Sequence, residues 1–477
     1  MQFWATQELS HVQLVDARLE KRLVKIVEDL ASQPESSVPQ ASGDWASTKG
    51  AYRFWDNDKV DPASIIHAHE LSTVERLSGH DMVLNIQDTT DLNFTHHPKK
   101  QGMGYLDHPS AKGLKVHSCL SVSVEGVPQG VIYQQVWARD PKTFGKKHKR
   151  KKLATKDKES QRWLDTLTSS QDAIPVDKQV ITIGDQEADI YDLFALPRRE
   201  GSHLLIRVCH NRCVEHEAKY LWESVRQSPV LGEVTVKIGR KGNQPPREAT
   251  LTIRIAHLSI CPPSNRPEKG SLKSIPVHLV LAEEDAPPEG VEPICWLLLA
   301  TFPIETFDDA LRCVRYYSYR WLIERYHFVL KSGCGLEKLQ LETADRIHRA
   351  LATYCIVAWR LLWLTYESRH NPDSPCDRIL DTHEWQSLYC KIHKTSIPPS
   401  TPPNLHEAVV MIARLGGFLA RKSDKEPGVK TIWRGLRRLH DIAQGWQLAQ
   451  GVYNDAVDTH KKQSCKPPIG NGLQTYG

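Results

Sequence analysis

Residues 316–333 read YYSYRWLIERYHFVLKSG. On a helix turning by about 100° per residue, Tyr317, Arg320, Glu324 and Lys331 fall within about 60° of one another. One carboxylate is thereby flanked by two cations and a phenol, and Gly333 supplies a helix stop. Alone, this is also the pattern of a solvated face with an i,i+4 ion pair. Two further acids change its meaning. MVLNIQDTT (82–90) is a short β-type run ending on Asp88. QVITIGDQEADIYDLF (179–194) repeats that form, with Asp185 at the end of a buried β run and a helix after it. In a mixed sheet, functional side chains gather at the carboxyl ends of strands. Three converging carboxylates repel one another and require cations, and hard oxygen donors suit Mg²⁺ or Mn²⁺. Two such ions about 4 Å apart activate a water or a 3′-hydroxyl and stabilise the leaving oxygen in an in-line displacement at phosphorus. Arg320 and Lys331 would then hold phosphates, with a hydroxyl contact from Tyr317. Spacing alone does not select this set, because Asp91, Glu187, Asp189 and Asp192 stand nearby. A glycosidase-like acid pair is disfavoured, since a general acid needs a raised pKa and adjacent cations lower it.

The elements that must position these residues follow from the rest of the chain. At 477 residues it is too long for one simple core, and roughly two to four domains are expected. A hydrophobic content of 40%, a charged content of 25% and a net charge of +5 describe a globular, mildly basic protein that permits nucleic-acid binding without requiring it. Eleven cysteines form no CxxC pair, and the polar opening MQFWATQELS lacks the apolar core of a signal peptide, so reduced, cytosolic thiols are expected. The spacing of Cys209, His210, Cys213 and His216 fits no standard zinc finger. The apolar run 350–366 is interrupted by Arg360 and reads as a buried core helix.

Residues 1–78 read as helical. Leu19, Leu23, Ile26 and Leu30 make an apolar stripe, Arg18, Arg22 and Lys25 a basic one, and Asp61-Pro62 a helix start. KGAYRFWDN (49–57) interleaves Lys49 and Arg53 with Tyr52 and Trp55, a composition suited to phosphates and stacked bases. Residues 118–137 read as a hairpin around Glu125-Gly126. KKHKRKK (146–152) is either a solvated tract or a clamp on a DNA backbone. A helix is expected near 158–170, a strand-rich unit over 203–300, and helices after Gly333. IPPSTPPN (397–404) reads as a linker to a last helical unit. There Ile432, Leu436, Leu439, Ala443 and Trp446 form a seam for a dimer contact or for internal packing. The tail from about 455 reads as poorly ordered.

YSYRWLIERYHFVLK carries the pattern Tyr-x2-Arg-x3-Glu-x6-Lys and resembles the signature of the DDE transposases of insertion-sequence family four, the transposon-five type. DTTDLNF and IGDQEADIYD resemble the blocks around that family's two aspartates. GAYRFWDN, LAEE…WLLLAT and IARLGGFLARK resemble three more blocks in collinear order over nearly the whole chain. The resemblance implies a ribonuclease-H-like catalytic core over 79–395 with a β-rich insertion at about 203–300. It implies a helical DNA-binding domain over 1–78 and a helical dimerisation domain with a flexible tail over 396–477. It assigns Asp88, Asp185 and Glu324 as the catalytic, metal-binding acids, with two Mg²⁺ ions that Mn²⁺ replaces. It implies cut-and-paste transposition through a hairpin by a homodimer on paired transposon ends, in the bacterial cytoplasm. Trp296 matches a base-flipping tryptophan. Tyr317, Arg320 and Lys331 match residues gripping DNA, and Arg207, Arg18, Arg22 and Arg53 match further DNA contacts. A non-catalytic DNA-binding relative is the alternative, which the three acids disfavour. Relatives commonly carry arginine where this chain has Gln186, which would remove a charge near the acids. The segments 95–104 and 146–152 also depart, implying different DNA contacts.

Overall fold

In a computed structural model the chain is described over residues 3–145, 153–238, 245–264, 266 and 270–464. The basic run 146–152 and the last part of the tail, 465–477, lie outside the described residues. Two compact units are present. One comprises Phe3–Ala31 and Glu35–His370, the other Ser32–Pro34 and the chain from Asn371.

The larger unit opens with helices α1 (Phe3–Glu8), α2 (Ala17–Ser32), α3 (Val38–Ser42), α4 (Trp45–Asp56) and α5 (Pro62–Arg76). α2 buries Leu23, Ile26, Val27 and Leu30, the apolar stripe at helical period. α5 begins where the sequence predicts: the Asp61 carboxylate accepts from the Ala63 and Ser64 amides, and Pro62 occupies the first turn. α1 is tied to α5 by a buried trio. His69 Nδ1 lies 2.5 Å from Glu8 Oε1, and Arg76 Nη1 lies 2.5 Å from Glu8 Oε2. His69 Nε2 accepts from the Val131 amide at 2.9 Å, so Nδ1 carries the proton.

Ten strands form one mixed sheet: β1 (Met82–Asn93), β2 (Gly104–Tyr105), β3 (Lys112–Ser123), β4 (Pro128–Trp137), β5 (Gln179–Gly184), β6 (Ser202–Arg207), β7 (Val230–Ile238), β8 (Arg247–Ile260), β9 (Ile275–Glu283) and β10 (Cys295–Ala300). β3 and β4 are the expected hairpin, with Gly126 in the left-handed region (φ 92°) at its turn. β1 pairs antiparallel with β3 and parallel with β5, and β5 parallel with β6. The order β4-β3-β1-β5-β6, antiparallel then parallel, is the ribonuclease-H-like arrangement. The parallel crossover from the β4 side to β5 runs through α6 (Gln161–Ala173). The strand-rich stretch builds no separate sheet. β10 pairs antiparallel with β6, and β9, β8 and β7 extend the same sheet outward. Their shared core joins Trp163 and Leu167 of α6 to Leu204, Ile206, Leu279, Leu297 and Leu299.

Short helices α7 (Tyr191–Ala195) and α8 (Leu221–Gln227) follow β5 and β6. α9 (Phe307–Ser318) and α10 (Trp321–Phe328) follow β10, and α11 (Ala344–His370) closes the unit. α11 is buried along most of its surface, as its apolar run predicts. Its Trp359 indole donates to the Pro128 carbonyl at 3.1 Å, while Trp55 of α4 donates to Thr353 at 3.3 Å. Among the described residues no helix is long and apolar enough to cross a membrane.

The smaller unit contains α12 (Thr382–His393), α13 (Leu405–Leu415) and α14 (Val429–Ser464). The proline-rich segment 397–404 lies inside it, between α12 and α13. Of the α14 seam, Ile432, Leu439 and Ala443 are buried within this unit, while Leu436 and Trp446 are partly exposed. Gly416 and Gly435 allow α13 and α14 to touch, since a Cβ on Gly435 would lie 1.8 Å from the Ile412 carbonyl oxygen.

Candidate active site

Asp88 does not end its strand, as the sequence reading expects. β1 continues to Asn93 because its antiparallel partner continues, with Asp88 opposite Ser118 and Asn93 opposite Gly113. What ends near Asp88 is the parallel ladder to β5, whose last pair is Ile86 with Ile183. Asp185 follows Gly184 directly and caps a 3₁₀ turn over Gln186–Ala188, accepting from the Glu187 amide at 2.8 Å. Gly184 is required there, since a Cβ would come within 2.5 Å of Ala188 Cβ. The Asp185 carboxyl is pushed above the ordinary range, chiefly by burial, with the charges of Asp88 and Glu187 adding to it. The Glu187 amide and Arg320 oppose the shift. Asp88 therefore lies close enough to Asp185 for its charge to be felt there.

The third acid arrives from the helical side. Residues 316–333 are not one straight helix, which corrects the single-stripe picture. α9 stops at Ser318, the chain tightens by i→i+3 bonds through Tyr319 and Arg320, α10 runs from Trp321 to Phe328, and a π-helical turn spans Val329–Gly333. The four polar residues separate accordingly. Arg320 Nη2 stays 2.5 Å from Glu324 Oε1. Lys331 turns to β1, donating to Thr90 Oγ1 at 3.0 Å. Tyr317 is 2% exposed rather than solvated. Its hydroxyl has no hydrogen-bond partner, and its ring meets Trp296 edge-on at 5.6 Å. Burial raises the Tyr317 phenol, while the nearby charges of Arg320 and Arg207 lower it. Arg207, at the end of β6, donates to the Cys295 carbonyl at 3.3 Å. Trp296, Arg207, Tyr317 and Arg320 are thus neighbours.

The competing acids are all committed elsewhere. Lys115 holds Asp91 at 2.6 Å, and Arg162 holds Glu187 at 2.6 Å. Asp189 is buried against Arg212 at 2.7 Å and accepts from the Cys209 and His210 amides. Asp192 accepts from Arg266 at 2.5 Å. Among the described residues, Asp88 and Asp185 have no lysine or arginine ion pair. The nearest basic group to Asp88 is His327 Nδ1 at 3.6 Å, whose buried Nε2 is unpartnered. Glu324 remains partly open, with its side chain 39% exposed.

Among the described residues no three His, Cys, Asp or Glu side chains are drawn tightly together. The donor set nevertheless fits a hard divalent cation. It consists of carboxylate oxygens, and a cation would offset the repulsion and burial that raise Asp185.

Arg18, Arg22 and Arg53 lie on α2 and α4. Arg18 is exposed and pairs with Asp16 at 2.7 Å, and Arg53 is exposed in the last turn of α4. The Arg22 guanidinium lies over Gly50, where a Cβ would come within 2.6 Å of it. Lys49 sits 4.3 Å over the ring of Trp45, which is 73% exposed. The Gln186 side-chain amide donates to the Val208 carbonyl at 3.1 Å. Lys100, in the departing segment 95–104, is used internally, donating to the Leu339 and Leu341 carbonyls.

Arg162 and His327 escape sequence reasoning. Arg162 sits in an ordinary amphipathic helix with no marking pattern, whereas His327 at i+3 from Glu324 was visible as a neighbour on the same helix face.

Three family matches cover most of the chain. Residues 1–60 match "Transposase DNA-binding", residues 83–360 match "Transposase DDE domain" and residues 356–456 match "Transposase Tn5 dimerisation domain".

Proposed function

The chain belongs to the DDE transposases, metal-dependent DNA-cleaving enzymes, and on that premise we propose that it moves an insertion sequence by cut-and-paste transposition. The observation that supports the site assignment is the strand register: Asp88 and Asp185 each lie two residues beyond Ile86 and Ile183, the last pair of the parallel β1–β5 ladder, and His327 of the helix that carries Glu324 lies 3.6 Å from Asp88. These three acids would hold two Mg²⁺ ions, or Mn²⁺ in their place. Such ions, when bound, supply activation of the attacking oxygen and stabilisation of the leaving oxygen. The protein's own groups do the rest. Arg320 and Lys331 hold the phosphates flanking the scissile bond. Tyr317, its hydroxyl unpartnered, takes a polar contact from the DNA. Trp296, half-buried beside Tyr317, receives a base flipped from the duplex, offsetting a few kcal/mol of lost stacking.

The reaction sequence is a nick at the transposon end, attack of the freed 3′-hydroxyl on the opposite strand to give a hairpin, hydrolytic opening, and joining of the 3′-ends to target DNA. Arg18, Arg22 and Arg53 contact the terminal inverted repeats, and Arg207 supports the DNA near Trp296. The DNA-binding and dimerisation matches support DNA binding and a homodimer, which we place in a synaptic complex of paired ends with cleavage in trans, in the bacterial cytoplasm. The domains implied by the resemblance, 1–78, 79–395 and 396–477, take these roles in turn. The experiment is cleavage of a labelled end fragment, taken from inverted repeats flanking the gene, with and without Mg²⁺. Metal-dependent cleavage through a hairpin band, lost in Glu324→Gln with end binding retained, is expected. Cleavage by Glu324→Gln at the wild-type rate would sink the assignment.

A further inference from the structure

No backbone pair between β1 and β5 joins Asp88 directly to Asp185. The parallel β1–β5 ladder stops at Ile86 and Ile183, so both acids lie beyond the last backbone pair that joins their strands. β1 follows β3 outward, while the chain after β5 turns into the 3₁₀ segment. Some other contact must span the opening between them.

Arg162, on the first turn of α6, spans it. Its Nε donates to Thr89 Oγ1 at 2.8 Å, immediately after Asp88. Its Nη2 donates to Glu187 Oε2 at 2.6 Å, two residues after Asp185. Nη1 donates to the Glu159 carbonyl at 2.8 Å, which fixes the fork to the turn leading into α6. The guanidinium lies over the Trp163 ring at 5.5 Å and the Trp137 ring at 5.9 Å, and the side chain is nearly buried. Thr89 is further held by His117 Nδ1 at 2.8 Å, and His117 Nε2 lies 3.2 Å from Gln87, so the β1 end of the span is itself anchored. A planar fork holds its donors in fixed relative directions and so sets the distance between the acceptors it bridges, which an ammonium on a flexible stem does less well.

We propose that Arg162 is a positioning residue that sets the distance between the two aspartates and so prepares them to bind divalent metal. The inference rests on the acid assignment proposed above. It makes a prediction of unusual sign. Arg162 is a cation beside an anionic site, so removing it tightens metal binding if only charge matters. If Arg162 acts by position, removing it weakens metal binding, as loss of supporting contacts around metal ligands does, by about tenfold or more.

The test is Mn²⁺ titration of the full chain, followed by the electron paramagnetic resonance of the free ion, in the wild type, Arg162→Gln, Arg162→Lys, Thr89→Val and Asp88→Asn. The expected result is weaker Mn²⁺ binding in Arg162→Gln by about tenfold and a comparable loss in Arg162→Lys, which keeps the charge without the fork. Thr89→Val, which changes no charge, weakens binding in the same direction and carries the test if the Arg162 variants fail to fold. Unchanged or tighter binding in Arg162→Gln or in Thr89→Val would overturn the inference. Failure of the wild type to bind Mn²⁺, or wild-type binding in Asp88→Asn, would instead overturn the acid assignment beneath it.

Discussion

The Arg320–Glu324 pair makes the free chain a poorer metal binder than its acids allow. The guanidinium, with its side chain 10% exposed, sits 2.5 Å from the third acid, and its charge reaches Asp88 and Asp185. A divalent ion entering this site must share or displace it. A charge-assisted hydrogen bond is worth about 1.5–3 kcal/mol when buried. Glu324 is more than a third exposed, and screening brings the figure to about 1–1.5 kcal/mol. Arg320→Met removes the competitor while keeping its bulk. Mn²⁺ binding to the DNA-free chain should therefore tighten by roughly tenfold, since about 1.4 kcal/mol is one decade. Cleavage should move the opposite way. Loss of a preorganised cation facing the scissile phosphate costs about a hundredfold in single-turnover rate. The assay pairs Mn²⁺ titration without DNA with single-turnover cleavage of an end fragment. A variant that binds Mn²⁺ no more tightly than the wild type would refute the reasoning, because Arg320 would then not stand in the ion's way.

Arg212→Ala leaves the buried Asp189 carboxylate without its cation and should cost about 3–5 kcal/mol in urea denaturation; a change below 1 kcal/mol would mean that the Cys209 and His210 amides suffice. Replacing Arg22 or Arg53 by alanine should weaken end binding uniformly across sequences and reduce the slope of log K against log salt by about one each. His69 is held neutral, its pKa pushed below the ordinary 6.5 chiefly by burial. Its contribution to stability is therefore complete above about pH 6.5 and is lost as the pH falls through the depressed folded value. Thermal melts from pH 8 to pH 5 should show this loss in the wild type and a shallower slope in His69→Gln.

How much of this was legible in the sequence depended on range. Asp61-Pro62, the Glu125-Gly126 turn and the α2 stripe are local signals, and each appears where local chemistry places it. The single stripe through Tyr317, Arg320, Glu324 and Lys331 failed because helical projection assumes a straight helix. A break at Tyr319–Arg320 and a π-helical turn before Gly333 redirect the outer two side chains. Asp88 reads as a strand end because the apolar run from Met82 gives way to polar residues there; the antiparallel partner that prolongs β1 is thirty residues on and invisible to a local window. The commitments of Asp91, Glu187, Asp189 and Asp192 to their own cations were beyond sequence, since Lys115, Arg162, Arg212 and Arg266 come from four separate segments. Those pairings are the physical reason that Asp88 and Asp185 stand out. Three residues of the α14 seam pack within their own unit and two stay partly exposed, a division that heptad spacing alone cannot show.

Asp88, Asp185 and Glu324 are proposed to ligate the ions that drive DNA cleavage. The most direct measurement replaces one ligand by a softer one, Asp185→Cys, and compares end cleavage in Mg²⁺ and Mn²⁺. Mg²⁺ demands hard oxygen donors, whereas Mn²⁺ tolerates a thiolate better. The account predicts that cleavage is lost in Mg²⁺ and partly restored in Mn²⁺. Cleavage in Mg²⁺ at the wild-type rate would contradict it.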